Sequence, residues 1–344
     1  MKTDLCGKNY QHGGDVYKVA KKLKCDVKEI IDLSSNVVPI KWIGFEFNFD
    51  FELLNFLPEP HSASLVKKIA EKYSLSEKNI IASSGATELI KEITCIFSGK
   101  KAAILSPTYI DYEKFSFLNR LKVKHLFKIE EIKKDVYNIV FICNPNNPTG
   151  ELFDKETLKR TVKNNPNTLF LFDESYMEFV DEEKENSFLN SNFKNILVLR
   201  SFSKIYGVPG IRAGWGYSYD KDLINMLKRH ISEWSLNTFA QQICYKLLDL
   251  DVQKIKEKVK DIKSWFLKEL DHIPNIEYFP SQTNYILIRL KTISSNSLYN
   301  ICLKNKILIR DCSNFYGLDS SFIRVSIKEK YEMKRFLNIL DDVL

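Results

Sequence analysis

Short unbroken apolar runs alternate with amphipathic stretches through the first two thirds of the chain. The apolar runs are Lys101–Ser106 (KAAILS), Ile139–Asn144 (IVFICN), Thr168–Asp173 (TLFLFD) and Ile196–Arg200 (ILVLR). Their length and continuity predict strands buried on both faces. Amphipathic segments such as Lys155–Lys163 lie between them, so the chain reads as βαβ units around a mainly parallel sheet. After about Asp220 the pattern changes. Long helical stretches, including Gln241–Asp249 and Val252–Leu270, precede three further strands at Asn284–Leu290, Ile307–Asp311 and Phe322–Ile327. The expected organisation is an α/β protein with a large domain over 40–240. A smaller α+β domain is expected from 241–344, with the segment 1–39 packed on it.

Composition narrows the function. The chain has 344 residues, 44% of them hydrophobic, which is ample for one large core and a smaller one. The formal net charge is +7, with both signs spread along the sequence. No Lys/Arg run is interleaved with aromatics, so no nucleic-acid footprint is present. Seven cysteines, an odd number without CxxC spacing, argue against a disulfide framework and a structural zinc site. Most lie in apolar runs, where a buried free thiol is the usual role; no metal is expected. The N-terminal MKTDLCGKNYQHGG lacks an apolar signal core, and no apolar run approaches the roughly 18–20 residues of a membrane span. The expectation is a cytoplasmic protein without a membrane partner.

Four segments place polar residues where an α/β sheet gathers its ligands, at the carboxyl ends of strands. After Ile196–Arg200 comes Ser201-Phe202-Ser203-Lys204, then Gly207, Gly210 and Arg212. A lysine leaving a buried strand beside cationic groups has a lowered pKa and becomes a nucleophile. The hydroxyls and Arg212 suit a phosphate. After TLFLF comes Asp173-Glu174-Ser175-Tyr176. A carboxylate at a buried strand end needs a cationic partner. After IVFIC comes Asn144-Pro145-Asn146-Asn147-Pro148-Thr149-Gly150, a rigid turn specified far beyond what a plain turn requires. Ser84-Gly85-Ala86-Thr87-Glu88 opens the amphipathic run Leu89–Phe97, and a glycine turn at a helix N-terminus favours anions.

In this order and together, the segments resemble the fold-type-I pyridoxal 5′-phosphate (PLP) enzymes of the aminotransferase superfamily, class I/II, over nearly the whole chain. The resemblance implies a large domain with a mainly parallel seven-stranded sheet and a smaller α+β domain. It makes Lys204 the Schiff-base lysine, Asp173 the partner of the pyridinium nitrogen, and Asn147 and Tyr176 the contacts of the ring 3′-oxygen. Lys204, Asp173 and Tyr176 are the implied catalytic residues. Tyr109, in Ser106-Pro107-Thr108-Tyr109, corresponds to the aromatic that stacks on the ring. Gly85, Ala86, Thr87, Ser201, Ser203 and Arg212 correspond to the phosphate cup, and Arg324 to the arginine that holds the substrate α-carboxylate.

Two branches of the superfamily are most similar, the histidinol-phosphate aminotransferases and the L-threonine-O-3-phosphate decarboxylases. The strings Gln11–Asp15, Leu33–Pro39, Glu233–Asn237 and Ile309–Cys312 with Gly317-Leu318 resemble the decarboxylases. They imply that His12, Asn36 and Arg310 lie near the substrate, with His12 at its phosphate. The implied reaction converts L-threonine O-3-phosphate to (R)-1-aminopropan-2-ol O-phosphate and CO2 for cobalamin. The alternative is amino transfer of the histidinol-phosphate type with 2-oxoglutarate. A homodimer is expected. Two positions depart from the pattern: Leu57 stands where these families carry a tyrosine that reaches the cofactor phosphate of the other subunit, and Val38 stands where they carry asparagine.

Overall fold

A computed structural model describes residues 10, 12–44 and 46–344. Its main sheet has seven strands: β2 (Ile80–Ser83), β3 (Lys101–Leu105), β4 (Lys122–Leu126), β5 (Ile139–Cys143), β6 (Leu169–Asp173), β7 (Ile196–Ser201) and β8 (Gly214–Tyr217). They lie in the order β2-β8-β7-β6-β5-β3-β4. All are parallel except β8, which runs against both its neighbours. Every residue of β5, β6 and β7 is buried, as their unbroken apolar runs predict. Two strands lack that signal for physical reasons. The edge strand β4 alternates exposed lysines with half-buried residues. In β8 the glycines make room: a Cβ on Gly216 would lie 3.1 Å from Leu89, on the helix Ala86–Ile96 that packs across it.

A second sheet, in the order β12-β13-β10-β9, is antiparallel throughout and comprises β9 (Ile276–Tyr278), β10 (Tyr285–Leu290), β12 (Arg310–Asp311) and β13 (Phe322–Ser326). The helices Gln253–Leu270 and Lys330–Val343 cover it, and Phe266, Phe336, Ile288 and Ile323 are fully buried between them. The run Ile307–Asp311 is not the single strand its apolar pattern suggests. Ile307–Leu308 (β11) pairs in parallel with β1 (Ile31–Asp32), whereas Arg310–Asp311 pairs with β13. Ile309, buried in the second core, is where the chain changes partner. The switch sets Arg310 directly opposite Arg324.

Residues 33–38 stitch the two sheets together. Leu33 accepts from the Ser326 N–H at 2.8 Å, and Val38 donates its N–H to the Lys204 carbonyl at 3.2 Å. Among the described residues no helix is long and apolar enough to cross a membrane.

Candidate active site

The last residues of β5, β6 and β7, namely Cys143, Asp173 and Ser201, line one cavity of about 570 Å³. The two-residue period of a strand decides what faces it. Asp173 and Ser201 line the cavity, while their neighbours Glu174 and Arg200 meet behind the sheet. Arg200, wholly buried, donates to Glu174 at 3.0 Å, to Glu183 at 2.7 Å and to Ser187 at 2.9 Å, and lies 3.2 Å from Glu178. One guanidinium facing three carboxylates leaves surplus negative charge. Burial, only partly offset by Arg200, pushes Glu178 up to about 7 and raises Glu174 as well. This cluster clamps the ends of the two strands that carry the cavity residues. Its signal in the sequence was the alternation itself, Asp173-Glu174 against Arg200-Ser201.

Lys204 lines the cavity in the turn after β7. Burial and the charge of Arg324, opposed by Asp173, bring its amine down to about 8. Asp173 Oδ2 accepts from the Tyr112 hydroxyl at 2.7 Å, and Oδ1 accepts from the Ser175 N–H at 3.0 Å and hydroxyl at 2.5 Å. Tyr176 accepts from Asn36 Nδ2 at 3.1 Å, and burial raises its phenol. Asn147 uses Oδ1 to accept from Arg324. Tyr109 lines the cavity and donates its hydroxyl to Asp111 at 2.8 Å. The Asn144–Gly150 turn is stapled from several sides, which accounts for its full specification. Asn146 bonds Thr108, Pro107 and Thr149, Asn144 accepts from the Phe153 N–H, and Gly150 (φ 73) sits where a Cβ would lie 2.1 Å from the Ser281 hydroxyl.

The helix Ala86–Ile96 starts at Gly85 with no side chain capping it. Glu88 donates its N–H to the Gly85 carbonyl at 3.1 Å, and the N–H groups of Ala86 and Thr87 are left for an anion. A Cβ on Gly85 would stand 2.9 Å from Arg212 Nη2, and one on Gly214 would stand 2.5 Å from the Ala86 nitrogen. Glycine at both places lets backbone and guanidinium close into a cradle with Ala86, Thr87, Ser201, Ser203 and Arg212, all of which line the cavity. Gly85 itself does not line the cavity; it shapes the turn at φ 86. Ser84 donates its N–H to Glu88 at 2.8 Å and to the Ser235 hydroxyl at 3.1 Å, which gives the Glu233–Asn237 segment its role as a brace of this turn.

His12, Asn36, Arg310 and Arg324 line the same cavity. Arg324 donates to the Ser34 carbonyl at 2.7 Å and to Asn147, while its Nε is buried without a partner. Arg310 donates to Asn314 at 2.6 Å and lies 4.9 Å from the Phe315 ring. Burial is the main cause of its pKa falling to about 10, which leaves it charged at neutral pH. His12 Nε2 stands 3.0 Å from Asp111 Oδ1, with its side chain 40% exposed. Of the departing positions, Leu57 is on the surface, whereas Val38 is core and holds the lysine turn through its backbone. Cys143, Cys244, Cys302 and Cys312 are buried, but Cys95 is exposed. Cys95 comes together with Glu92 and His230 on the surface, their ligand atoms within 4.8 Å of one another, a grouping no local spacing displays. Cys6 and Gln11 lie outside the described residues.

A lysine of depressed pKa, a hydrogen-bonded carboxylate, an aromatic wall and an anion cradle at the carboxyl edge of a mainly parallel sheet define a class of protein, the PLP enzymes of fold type I. The donor set fits the cofactor: an uncapped helix end with Arg212 for phosphate and Asp173 for a ring cation. The chain belongs to the family "Aminotransferase class I and II", whose profile matches residues 20–340, and its cofactor is PLP. It is 31% identical to the adenosylcobalamin biosynthesis bifunctional protein CobDQ of Leptospira interrogans, over 97% of this chain and 41% of that protein. It is 29% identical to a histidinol-phosphate aminotransferase of Methanocaldococcus jannaschii, over 98% of this chain and 95% of that one. The solved L-threonine-O-3-phosphate decarboxylase of Porphyromonas gingivalis superposes with a TM-score of 0.79 at 25% identity, covering 91% of this chain and 99% of that one.

Proposed function

We propose that the protein decarboxylates L-threonine O-3-phosphate to (R)-1-aminopropan-2-ol O-phosphate, as a cytoplasmic homodimer in cobalamin synthesis. One observation carries the substrate class. Arg310 and Arg324 are buried cross-strand partners, and neither pairs with a carboxylate among the described residues. Like charges directly opposite each other on a sheet are destabilising unless an anion lies between or beside them. Arg212 and Asp173 are taken by the cofactor, so Arg324, Arg310 and His12 remain for a substrate that carries two anions, a carboxylate and a phosphate. The name of the Porphyromonas relative favours decarboxylation, and that of the Leptospira relative favours a place in adenosylcobalamin biosynthesis. A surface strip of Phe51, Leu54, Phe56 and Leu57, each at least half exposed, supports the second copy.

PLP, when bound, supplies an electron sink for the pair released when a bond at the substrate α-carbon breaks. Asp173 holds the charge of the ring nitrogen. Arg324 orients the carboxylate by its unpartnered Nε and its fork. Arg310 and His12 grip the phosphate, and that remote binding fixes the α-carbon so that the bond to the carboxylate is the one that breaks. The departing CO2 leaves its electron pair behind, and the α-carbon must then gain a proton. Lys204 Nζ, with a pKa near 8, is suited to deliver it.

The test is CO2 release from O-phospho-L-threonine by the PLP-loaded protein without any keto acid. Sustained turnover supports the reading. No release, together with amino transfer from histidinol phosphate to 2-oxoglutarate, would replace it with the aminotransferase.

A further inference from the structure

We infer that Tyr112 is a positioning residue that sets the electron-withdrawing strength of the cofactor through Asp173. The inference rests on the cofactor assignment. Tyr112 belongs to the helix Asp111–Leu118, which contributes none of the strand-end motifs, and it is wholly buried. Its hydroxyl donates to Asp173 Oδ2 at 2.7 Å, on the oxygen that Ser175 leaves free. The ring is locked in place. It stacks on Phe141 at 5.4 Å and 18°, and meets Tyr109 edge-on at 5.5 Å and 81°. The hydroxyl oxygen is therefore held beside Asp173, with the Cys143 sulfur, a weak acceptor, as its other neighbour.

The direction of this hydrogen bond is fixed as well. Burial and the Asp173 charge hold the Tyr112 phenol well above its ordinary range, so it remains a donor at every working pH. The thiol of Cys143, which touches Tyr112, is likewise pushed up by burial and stays neutral. The Ser175 N–H and hydroxyl are uncharged donors. Asp173 thus receives three bonds from groups that do not titrate, and each favours its carboxylate over its acid. A ring nitrogen facing Asp173 shares one proton with it. Every hydrogen bond donated to the carboxylate stabilises its negative charge opposite the ring nitrogen, which favours the proton on that nitrogen. Tyr112 acts without touching the cofactor or the substrate.

The experiment uses holoenzyme reconstituted with PLP labelled with 15N in the ring. In Tyr112→Phe the ring-nitrogen resonance moves toward the neutral pyridine position. Turnover falls roughly 3- to 10-fold, less than the roughly 10- to 150-fold of a directly lost hydrogen bond to a charged group because Tyr112 acts through Asp173, with KM little changed. Replacing Tyr112 with 3-fluorotyrosine, a stronger donor of nearly the same shape, moves the resonance the opposite way. An unchanged 15N shift in both variants would overturn the inference, even if stability or activity drops, because a merely structural tyrosine leaves the proton where it was. If Tyr112→Phe does not fold, the fluorotyrosine protein decides alone. A wild-type chain that takes up no PLP would sink the cofactor assignment itself, which separates the two failures.

Discussion

Replacing Arg310 with glutamine isolates the charge assigned to the substrate phosphate. Glutamine keeps an N–H for Asn314, which now accepts from Arg310 at 2.6 Å, and removes only the positive charge and the second arm of the fork. Arg310 is 6% exposed, so solvent screens it little. A hydrogen bond to a charged group contributes about 1.5–3 kcal/mol, or roughly 10- to 150-fold in binding. The unfavourable pairing with Arg324 is also relieved in the variant, which favours the lower half of that range. The assay compares O-phospho-L-threonine with L-threonine by titrating the absorbance of the bound cofactor. The variant should lose roughly 10- to 40-fold on the phosphorylated ligand and little on the other, so the preference for phosphate collapses. Arg310→Lys should retain a good part of it. An equal loss on both ligands would mean that Arg310 shapes the sheet and does not read the phosphate, and the doubly anionic substrate would lose its main support.

Two further outcomes follow from buried charges. Arg200→Met strips Glu174 of its partner at 3.0 Å and should cost about 3–5 kcal/mol in urea unfolding of the apo-protein; a loss below about 1 kcal/mol would mean that water reaches the cluster. Reconstitution of the apo-protein with PLP needs the neutral amine of Lys204. With its pKa at about 8, the rate at limiting PLP should climb about tenfold per pH unit up to pH 8 and then level off. The shift is downward, so the reactive fraction at pH 7 is about one in ten, against about one in three thousand for an ordinary lysine. A rate that keeps climbing to pH 10 would show that the amine is not desolvated.

The sheet was legible where burial on both faces left a long unbroken apolar run, as in β5, β6 and β7, but the four-residue buried strand β2 was too short to stand out. It was illegible at β4, whose edge position admits lysines, and at β8, where close helix packing selects glycine over a β-former. The reversed direction of β8 has no local signature, because direction is set by the connection. Lys204, Asp173 and Asn147 were visible because each ends or follows a strand. Tyr112 and Asp111 were not. They sit at the start of an undistinguished helix, and their partners Asp173 and His12 lie 61 and 99 residues away. The switch of Ile307–Asp311 between two sheets was hidden for a similar reason: an apolar run states that it is buried but not beside what.

The alternation at the ends of β6 and β7 limits how the molecule can change length. Asp173 and Ser201 face the cavity because they are odd steps from Glu174 and Arg200, which face away. Adding one residue to either strand would exchange the two sets, sending a pyridinium partner into an ion cluster and a lone guanidinium or a spare carboxylate into the cavity. Two added residues would restore the facing. Parity, more than length, is what these strands must keep: insertions can accumulate freely in the connections on the far edge of the sheet, while the strands themselves can grow or shrink only in pairs.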